Sequence, residues 1–262
     1  MQVDLETADL AIATPHLAMT YSLVPWDQAI LGFAVAQISA LTLADAVRAQ
    51  GDFERFEHWR DEESVRLVSC RLDHERLRES MFLEARGFRF IELVYQPRFT
   101  TVQAVPDADY GIEILAATER DEPEIAEIAA TAFTTGRYLL DWRLGPEPNG
   151  LRYAAWIRNS FRNPAHRVLK AMENGRIVAF FVVETHPSGT CYWHLTAVAK
   201  GHRGRGVGRR VWHAMLMLHK ASGVAEVETL VSGHNLPVLN LYAGLGFRMR
   251  RAQMTFHWLR ES

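Results

Sequence analysis

The residues best suited to chemistry lie in one short run, Arg203-Gly204-Arg205-Gly206-Val207-Gly208. The run follows an apolar segment, Cys191 to Val198, and opens an amphipathic one, Val207 to Ala221, a pattern that predicts a strand, a turn and a helix. Glycines in such a turn let a ligand approach the main chain, and the start of the helix offers unpaired N–H groups to an anion. The sequence therefore predicts a loop that binds a phosphorylated ligand.

The spacing within this run narrows the ligand. A Walker loop ends in Gly-Lys-Ser/Thr, whereas this run ends in Gly208-Arg209-Arg210. A dinucleotide fingerprint that begins at Gly204 needs glycine at its sixth position, where Arg209 stands. The pattern that fits is Arg/Gln-x-x-Gly-x-Gly/Ala, which resembles the pyrophosphate loop of the GNAT acetyltransferase superfamily. An ordinary surface loop, or an Arg-Gly segment that binds nucleic acid, is disfavoured because the run occurs once in a chain of formal net charge −2.

A second motif supports the resemblance. The segment Glu226 to Ser232 predicts a strand, and the segment Asn235 to Phe247 is similar to the family's Asn-x-x-Ala-x-x-x-Tyr-x-x-x-Gly-Phe, with Val238 at the alanine position and Tyr242 at the tyrosine. The resemblance implies an α/β fold with a mixed sheet, the GNAT acyltransferase fold, and acetyl-CoA as the cosubstrate. The predicted order of the second half is strand, two helices, three antiparallel strands, glycine loop, helix, strand, helix and strand, which is the order that this fold requires.

The resemblance also implies which residues bind the cofactor. The loop would surround the pyrophosphate, the strand before it would hold the pantetheine arm, and the N–H of Val198 would polarise the thioester carbonyl. Asn235 would bind the pantetheine arm, order the turn or cap the following helix. The predicted cofactor-binding residues are Ala197, Val198, Arg203, Gly204, Arg205, Gly206, Val207, Gly208 and Asn235.

Acetyl transfer to an amine needs a base for the amine and a proton for the departing thiolate. Tyr242 is predicted to be the general acid, with a packing tyrosine as the alternative. His194 is predicted to be the base, because the pKa of a histidine suits the task and strand alternation would place it on one face with Tyr192, Thr196 and Val198. A core histidine at this position, Glu184 as the base, and a chain of waters are the alternatives.

The chain of 262 residues predicts two domains. Leu67 to Arg89 echoes Leu230 to Arg248 as strand, helix, Gly-Phe and strand, but no glycine loop precedes the first copy. We therefore expect a degenerate GNAT-like domain without a cofactor loop over residues 1–107 and a catalytic domain over residues 108–262. The first-half elements are expected as strands Phe33–Ile38, Val65–Cys70 and Phe88–Tyr95 and helices Leu43–Ala49 and His74–Ala85, with a linker at Pro97–Asp109.

A further resemblance concerns the acceptor. The segments Ala132 to Tyr138 and Tyr153 to Ser160, together with the degenerate first half, look like those of TDP-fucosamine acetyltransferases, although Lys200 replaces the usual proline before the loop. This implies a nucleotide-linked amino sugar as acceptor. The predicted substrate residues are Arg137, Tyr138 and Trp156, with Arg143 and Tyr153 beside them. An acetyltransferase for protein or peptide amines and a non-catalytic acyl-CoA-binding regulator are the alternatives.

Composition indicates the remaining properties. The amino terminus carries acids, and no segment reaches the roughly 20 apolar residues of a membrane-spanning helix, so we expect a cytoplasmic protein without a membrane or nucleic-acid partner. The two cysteines, Cys70 and Cys191, are expected to be free thiols. No His, Cys, Asp or Glu group has metal-ligand spacing, so no metal is expected, and His16, His58 and His219 are predicted at the surface. An exposed strand edge would allow a homodimer.

Overall fold

The chain folds into two compact units in a computed structural model that describes residues 8–145 and 148–260. The first unit contains the residues up to Val94 and those from Arg251 onward, and the second contains Tyr95–Arg250. Both units combine strands with helices, so the predicted mixed α/β class is confirmed.

Strands and helices alternate along most of the chain. The strands are β1 (Leu10–Ala13), β2 (Leu17–Leu23), β3 (Val35–Leu43), β4 (Leu67–Asp73), β5 (Arg89–Phe99), β6 (Glu113–Ala116), β7 (Arg167–Glu173), β8 (Arg176–Thr185), β9 (Thr190–Val198), β10 (Glu226–Thr229), β11 (Val231–Ser232) and β12 (Arg248–Leu259). The α-helices are α1 (Pro25–Leu31), α2 (Ala49–Glu62), α3 (Leu77–Ala85), α4 (Glu122–Ala132), α5 (Arg137–Leu140), α6 (Pro148–Arg162), α7 (Val207–Ala221) and α8 (Leu236–Gly244).

The first unit has the strand order β1-β2-β3-β4-β12. β3 and β4 are parallel, and the other neighbours are antiparallel. Phe53 and Phe56 on α2 are fully buried against this sheet, in a core that also contains Phe256 of β12. The last strand of the chain therefore completes the core of the unit that contains the first strand.

Two first-half predictions were wrong. The segment Leu43–Ala49 was expected to be a helix, but β3 continues to Leu43 because Leu41 and Leu43 alternate into the core, and α2 begins at Ala49. The segment Pro97–Asp109 was expected to be an open linker, but β5 runs through Pro97, and Val102 and Val105 are buried in the core of the second unit. Apolar burial outweighs the loop-forming composition here.

The second unit has the strand order β5-β10-β9-β8-β7-β6, to which β5 contributes its last residues. β10 and β9 are parallel, and the remaining neighbours are antiparallel. Helices α7 and α8 pack on one face of this sheet around Trp193 and Trp212. Helices α4 and α6 pack on the other face around Phe180 and Leu195.

Two irregularities of β9 position the site. Its pairing with β10 ends at Trp193, which faces Thr229, so the rest of β9 has no partner on that side within the described residues. Its pairing with β8 shifts between Trp193 and Leu195, which leaves His194 as the extra residue of a bulge. β9 and β10 thus part next to the bulge, and β9 has an open edge from His194 to Val198.

The predicted internal repeat corresponds to similar elements. In the first unit, β4 and α3 lead through Gly87 into β5, and β10, β11 and α8 lead through Gly246 into β12. Both glycines have positive φ angles, 84° and 91°, which only glycine adopts readily. The compact units differ from the predicted ranges 1–107 and 108–262, since the final strand joins the first unit. A cofactor-free role for the first domain stays a prediction.

Candidate active site

The glycine loop is built to leave a helix start open. Gly204 and Gly206 have φ angles of 74° and 75°, and Gly206 immediately precedes α7. No side chain in the described part of the chain caps this helix start. The first-turn N–H groups of α7 therefore stay available to an anion, and the helix dipole favours negative charge at the same place.

The open edge of β9 lies directly before this loop. Ala199 donates its N–H to the carbonyl oxygen of Val178 on β8, at 2.8 Å. Because successive N–H groups of a strand point in opposite directions, the N–H of Val198 points away from β8 and toward the open edge. Arg203 folds back and donates from Nε to the carbonyl oxygen of Val198, at 2.9 Å. The loop is thus tied to the strand end that carries the exposed polar groups.

Tyr242 lies beneath this edge on the α7 and α8 face. Its side chain is 1% exposed and contacts Phe247 with ring centroids 4.7 Å apart. Burial is the main reason why the pKa of Tyr242 is raised, and the nearby polar groups of Trp212, Thr196 and Thr229 partly offset the rise. Since Thr196 and Thr229 flank the point where β9 and β10 part, the hydroxyl lies at the start of the open edge and stays protonated at neutral pH.

His194 lies on the face of the sheet opposite to Thr196 and Val198, which corrects that part of the predicted alternation. Its contact with Tyr192, with ring centroids 4.8 Å apart, agrees with the prediction. The bulge inserts one residue, so Thr196 and Val198 face the side of α7 and α8 while His194 contacts His166, with ring centroids 4.5 Å apart. The Nε2 of His194 lies 2.8 Å from a carboxylate oxygen of Glu184. The two base candidates from the sequence are therefore one hydrogen-bonded pair.

His166, Glu184 and His194 form a cluster that the sequence did not predict. One ligand atom from each lies within 4.8 Å of the others. Hydrogen bonding to His194 is the main reason why the pKa of Glu184 is lowered, and burial lowers the pKa of His166. The spacing argument against a metal is thus overturned, because the three donors come from the start of β7, the end of β8 and the bulge of β9.

The predicted substrate residues surround α5 and α6. Tyr138 is 1% exposed, so it supports other groups instead of offering the stacking surface that was predicted. Its hydroxyl accepts a hydrogen bond from Arg137, at 3.0 Å. Arg143 donates two hydrogen bonds of 2.8 Å to Asp141, which balances its charge. The sequence missed Arg152, whose guanidinium lies 5.0 Å from the ring centre of Tyr138 and 5.5 Å from that of Trp156.

Comparison with known proteins agrees with this geometry. Residues 124–247, which contain the loop, the open edge and Tyr242, match the model of the acetyltransferase (GNAT) family. This segment belongs to the GNAT acetyltransferase family. The match covers both of the sequence motifs on which the resemblance to this family was based.

Solved structures extend the likeness to the whole chain at the level of fold. A GCN5-related N-acetyltransferase from Sphaerobacter thermophilus matches with a TM-score of 0.64 and 16% identity, over 92% of this chain and 76% of that one. A tandem GNAT protein from the clavulanic acid biosynthesis pathway matches with a TM-score of 0.63 and 16% identity, over 98% of this chain and 84% of that one. The predicted GNAT fold with a second GNAT-like half is confirmed.

A curated relative also matches part of the chain. The spore coat polysaccharide biosynthesis protein SpsD of Bacillus subtilis (strain 168) is 25% identical over 140 residues, which are 52% of this chain and 47% of that protein. The match therefore spans about half the length of this relative.

No helix among the described residues is long and apolar enough to cross a bilayer.

The structure brings most of the predicted site residues of the GNAT segment to one place. The loop, Val198 and Tyr242 meet at the open edge, whereas His194 approaches the same edge from the opposite face. Asn235 immediately precedes α8, and its side chain makes no capping hydrogen bond, so the predicted capping role is wrong and its amide stays a candidate for the pantetheine arm. His219 was predicted at the surface but is buried, where its Nε2 lies 2.9 Å from Trp193 Nε1.

Proposed function

We propose that the GNAT segment transfers acetyl from acetyl-CoA directly to a primary amine, and that the amine belongs to a nucleotide-linked amino sugar. The observation that carries the acetyl-CoA assignment is the open edge of β9, from His194 to Val198, which ends in an uncapped helix start. An extended, amide-rich arm with a pyrophosphate at one end is complementary to a strand edge followed by an anion site.

The cofactor would bind along this edge. Backbone N–H groups between Arg203 and Gly208 would hold the pyrophosphate, and Arg205 would add positive charge. Ala197, Val198 and Asn235 would contact the pantetheine arm. The N–H of Val198, which points toward the edge, would donate to the carbonyl oxygen of the thioester and stabilise the negative charge that develops on it.

Acid and base would then act from opposite faces of the sheet. His194, oriented by the Glu184 carboxylate, takes a proton from the amine, and the amine nitrogen attacks the thioester carbon. The carbon–sulfur bond breaks, and Tyr242 gives its hydroxyl proton to the departing thiolate. A thiol has an ordinary pKa of about 8.5 and tyrosine about 10, so this donation is uphill by roughly 2 kcal/mol for the ordinary groups. Burial raises the pKa of Tyr242 and adds to this cost, which hydrogen bonding to the thiolate in a dry site would have to offset.

Charge and aromatic surface favour the sugar nucleotide as acceptor. Arg137 and Arg152 lie over the ring of Tyr138, and Tyr153 and Trp156 present half-buried faces beside them. Guanidinium groups pair with phosphates, and aromatic faces stack on bases or sugars. The relative SpsD is named for polysaccharide biosynthesis, which supports the same class of acceptor.

The test is acetyl-CoA turnover, followed by free-thiol release, against panels of nucleotide-linked amino sugars and of lysine or amino-terminal peptides. We expect turnover with the sugars. An Arg152→Gln variant should raise the KM for the sugar nucleotide about tenfold or more, which is the loss of one charge-assisted contact of about 1.5–3 kcal/mol. An Arg158→Gln variant, exposed on the same helix, is the matched control and should leave the KM unchanged.

Each other outcome contradicts part of the proposal. Turnover confined to the peptides would show that the acceptor is a protein or peptide amine, while the proposed acetyl transfer would still hold. Tight acetyl-CoA binding without turnover on either panel would favour a non-catalytic acyl-CoA-binding regulator. Absence of acetyl-CoA binding would overturn the assignment of the open edge itself.

A further inference from the structure

The cluster of His166, Glu184 and His194 has the donor set of a metal site. We propose that these three side chains bind one divalent first-row transition metal ion, Zn²⁺ being the probe of choice. Two imidazoles and one carboxylate suit Zn²⁺, Fe²⁺, Ni²⁺ and Cu²⁺ better than Mg²⁺ or Ca²⁺, which prefer oxygen ligands alone. Three protein ligands leave a fourth position to water.

The orientation of His166 leaves one nitrogen ready to bind metal. Ser160 is buried, and its hydroxyl donates to the carbonyl oxygen of Trp156, at 2.9 Å. A hydroxyl has one proton, so the contact of 3.2 Å between Ser160 Oγ and His166 Nδ1 must have Nδ1–H as the donor. The lone pair of neutral His166 is therefore on Nε2. Metal-binding histidines are commonly held in this way, with the other ring N–H given to an oxygen.

The remaining two ligands are already together. Glu184 contacts His194 Nε2 at 2.8 Å, and its other oxygen lies 3.7 Å from Nδ1 of His186. Ligand atoms around a tetrahedral Zn²⁺ are roughly 3.3 Å apart, given bonds of about 2.0–2.1 Å. The three ligand atoms now lie within 4.8 Å of one another. Because the three side chains are only partly buried, small rotations would bring these atoms to the spacing of a tetrahedral site.

Metal binding has a consequence for catalysis that rests on the proposed function. A metal ion on the His194 nitrogen would remove the base and occupy the acceptor side of the open edge. His166 belongs to the metal site alone, because no step of acetyl transfer uses it. The site would therefore make the enzyme sensitive to transition-metal ions without being required for turnover.

The first experiment measures the metal alone. Equilibrium dialysis should find one tightly bound Zn²⁺ per full-length chain, and Co²⁺ should give the visible absorption of a four-coordinate site. A His166→Asn variant keeps a donor for Ser160 but lacks the Nε2 ligand, so it should bind Zn²⁺ at least about tenfold more weakly. Ser160→Ala, which frees the His166 ring, should weaken binding by about 10–100-fold.

His58→Asn is the matched control. His58 Nε2 lies 3.2 Å from Glu62, so this exposed pair has the same chemistry without a third ligand. This variant should bind Zn²⁺ as the wild type does. The proposal is overturned if the wild type binds no Zn²⁺ stoichiometrically, or if His166→Asn binds as the wild type does.

The second experiment measures inhibition, with acetylated product detected by mass spectrometry because Zn²⁺ binds the thiol product. Zn²⁺ should lower turnover of the wild type about 100-fold or more, the usual contribution of a base, and a chelator should restore it. His166→Asn should keep basal turnover and lose most of this sensitivity. Binding without inhibition would retain the metal site and reject His194 as the base, which separates the failure of the two proposals.

Discussion

His219 is the clearest case of a single residue whose environment sets its chemistry. It is 4% exposed on α7 and accepts a hydrogen bond from the indole N–H of Trp193. Burial, with a smaller contribution from the charge of Arg167, lowers the pKa of His219 to about 4. The folded chain therefore keeps this imidazole neutral over a range in which the unfolded chain would protonate it.

Acid should destabilise the protein through this residue. Below the unfolded pKa of about 6.5 the unfolded state binds a proton that the folded state does not, so the free energy of unfolding should fall by about 2 kcal/mol between pH 7 and pH 5. His219→Gln keeps an acceptor for Trp193 without titrating, and its urea unfolding should lose that part of the pH dependence. His58→Gln, at an exposed site, should not differ from the wild type. Equal pH dependence in all three proteins would show that His219 does not carry the effect.

At this scale the sequence predicted residues that belong to local motifs. The glycine loop and the segment from Asn235 to Tyr242 are contiguous, so their spacing alone identifies them. His166 joins the cluster with Glu184 and His194, and Arg152 joins the proposed acceptor surface, only through packing of α6 and the start of β7, and no local pattern marks either residue. The bulge at His194 also escaped prediction, since the insertion of one residue reverses the alternation that was used to place the side chain.

Among the elements, the turn before α7 depends most directly on residue type. Gly206 has a φ of 75° and no atom within 4 Å of an added Cβ, so a side chain there would be disfavoured by backbone conformation alone. Gly201, four residues before Arg205, has equal space without a positive φ. Alanine substitutions at Gly206 and Gly201 would therefore differ in backbone strain and not in steric crowding.

Gly206→Ala should weaken acetyl-CoA binding. The left-handed conformation costs a residue with a Cβ about 1–2 kcal/mol, so the loop would relax away from the geometry that presents its N–H groups. Isothermal titration should show the Kd for acetyl-CoA raised by about fivefold or more. Gly201→Ala should bind as the wild type does, and equal affinities for all three proteins would argue against a main-chain anion site.

The helices and strands of the second half were predicted well because their periods are clear. The predicted strand, two helices and three antiparallel strands correspond to β6, to α4 and α6, and to β7, β8 and β9. The first half was predicted less well, since β3 extends further than its composition suggested and α2 was missed. In α2, Phe53 and Phe56 lie on one face because they are three residues apart in a helix. Two apolar residues at this spacing are too few to predict the helix from the sequence.

In the whole molecule, the path of the chain decides which strand completes which unit. β12 pairs with β4 and places Phe256, which is fully buried, in the core of the first unit. A sequence pattern gives the strand and not its partner, because pairing is a long-range property. The two-domain plan was therefore predictable, whereas the assignment of the final strand was not.

Phe256→Ala should show this contribution in stability. Removing a buried phenylalanine typically lowers the free energy of unfolding by about 3–5 kcal/mol, even this close to the end of the chain. Met249→Ala, at an exposed position of the same strand, should change it by less than about 0.5 kcal/mol. Urea unfolding measures both, and similar small losses would mean that β12 is not part of a packed core.

The central claim is that the buried hydroxyl of Tyr242, where β9 and β10 part, protonates the thiolate that leaves acetyl-CoA. The most direct test compares kcat and the Kd for acetyl-CoA in the wild type, Tyr242→Phe and the control Tyr110→Phe, which alters a tyrosine that stacks on His213. We predict that Tyr242→Phe lowers kcat by about 10²–10⁴-fold with an unchanged Kd, whereas Tyr110→Phe changes neither. Full turnover of Tyr242→Phe with normal cofactor affinity would contradict the account.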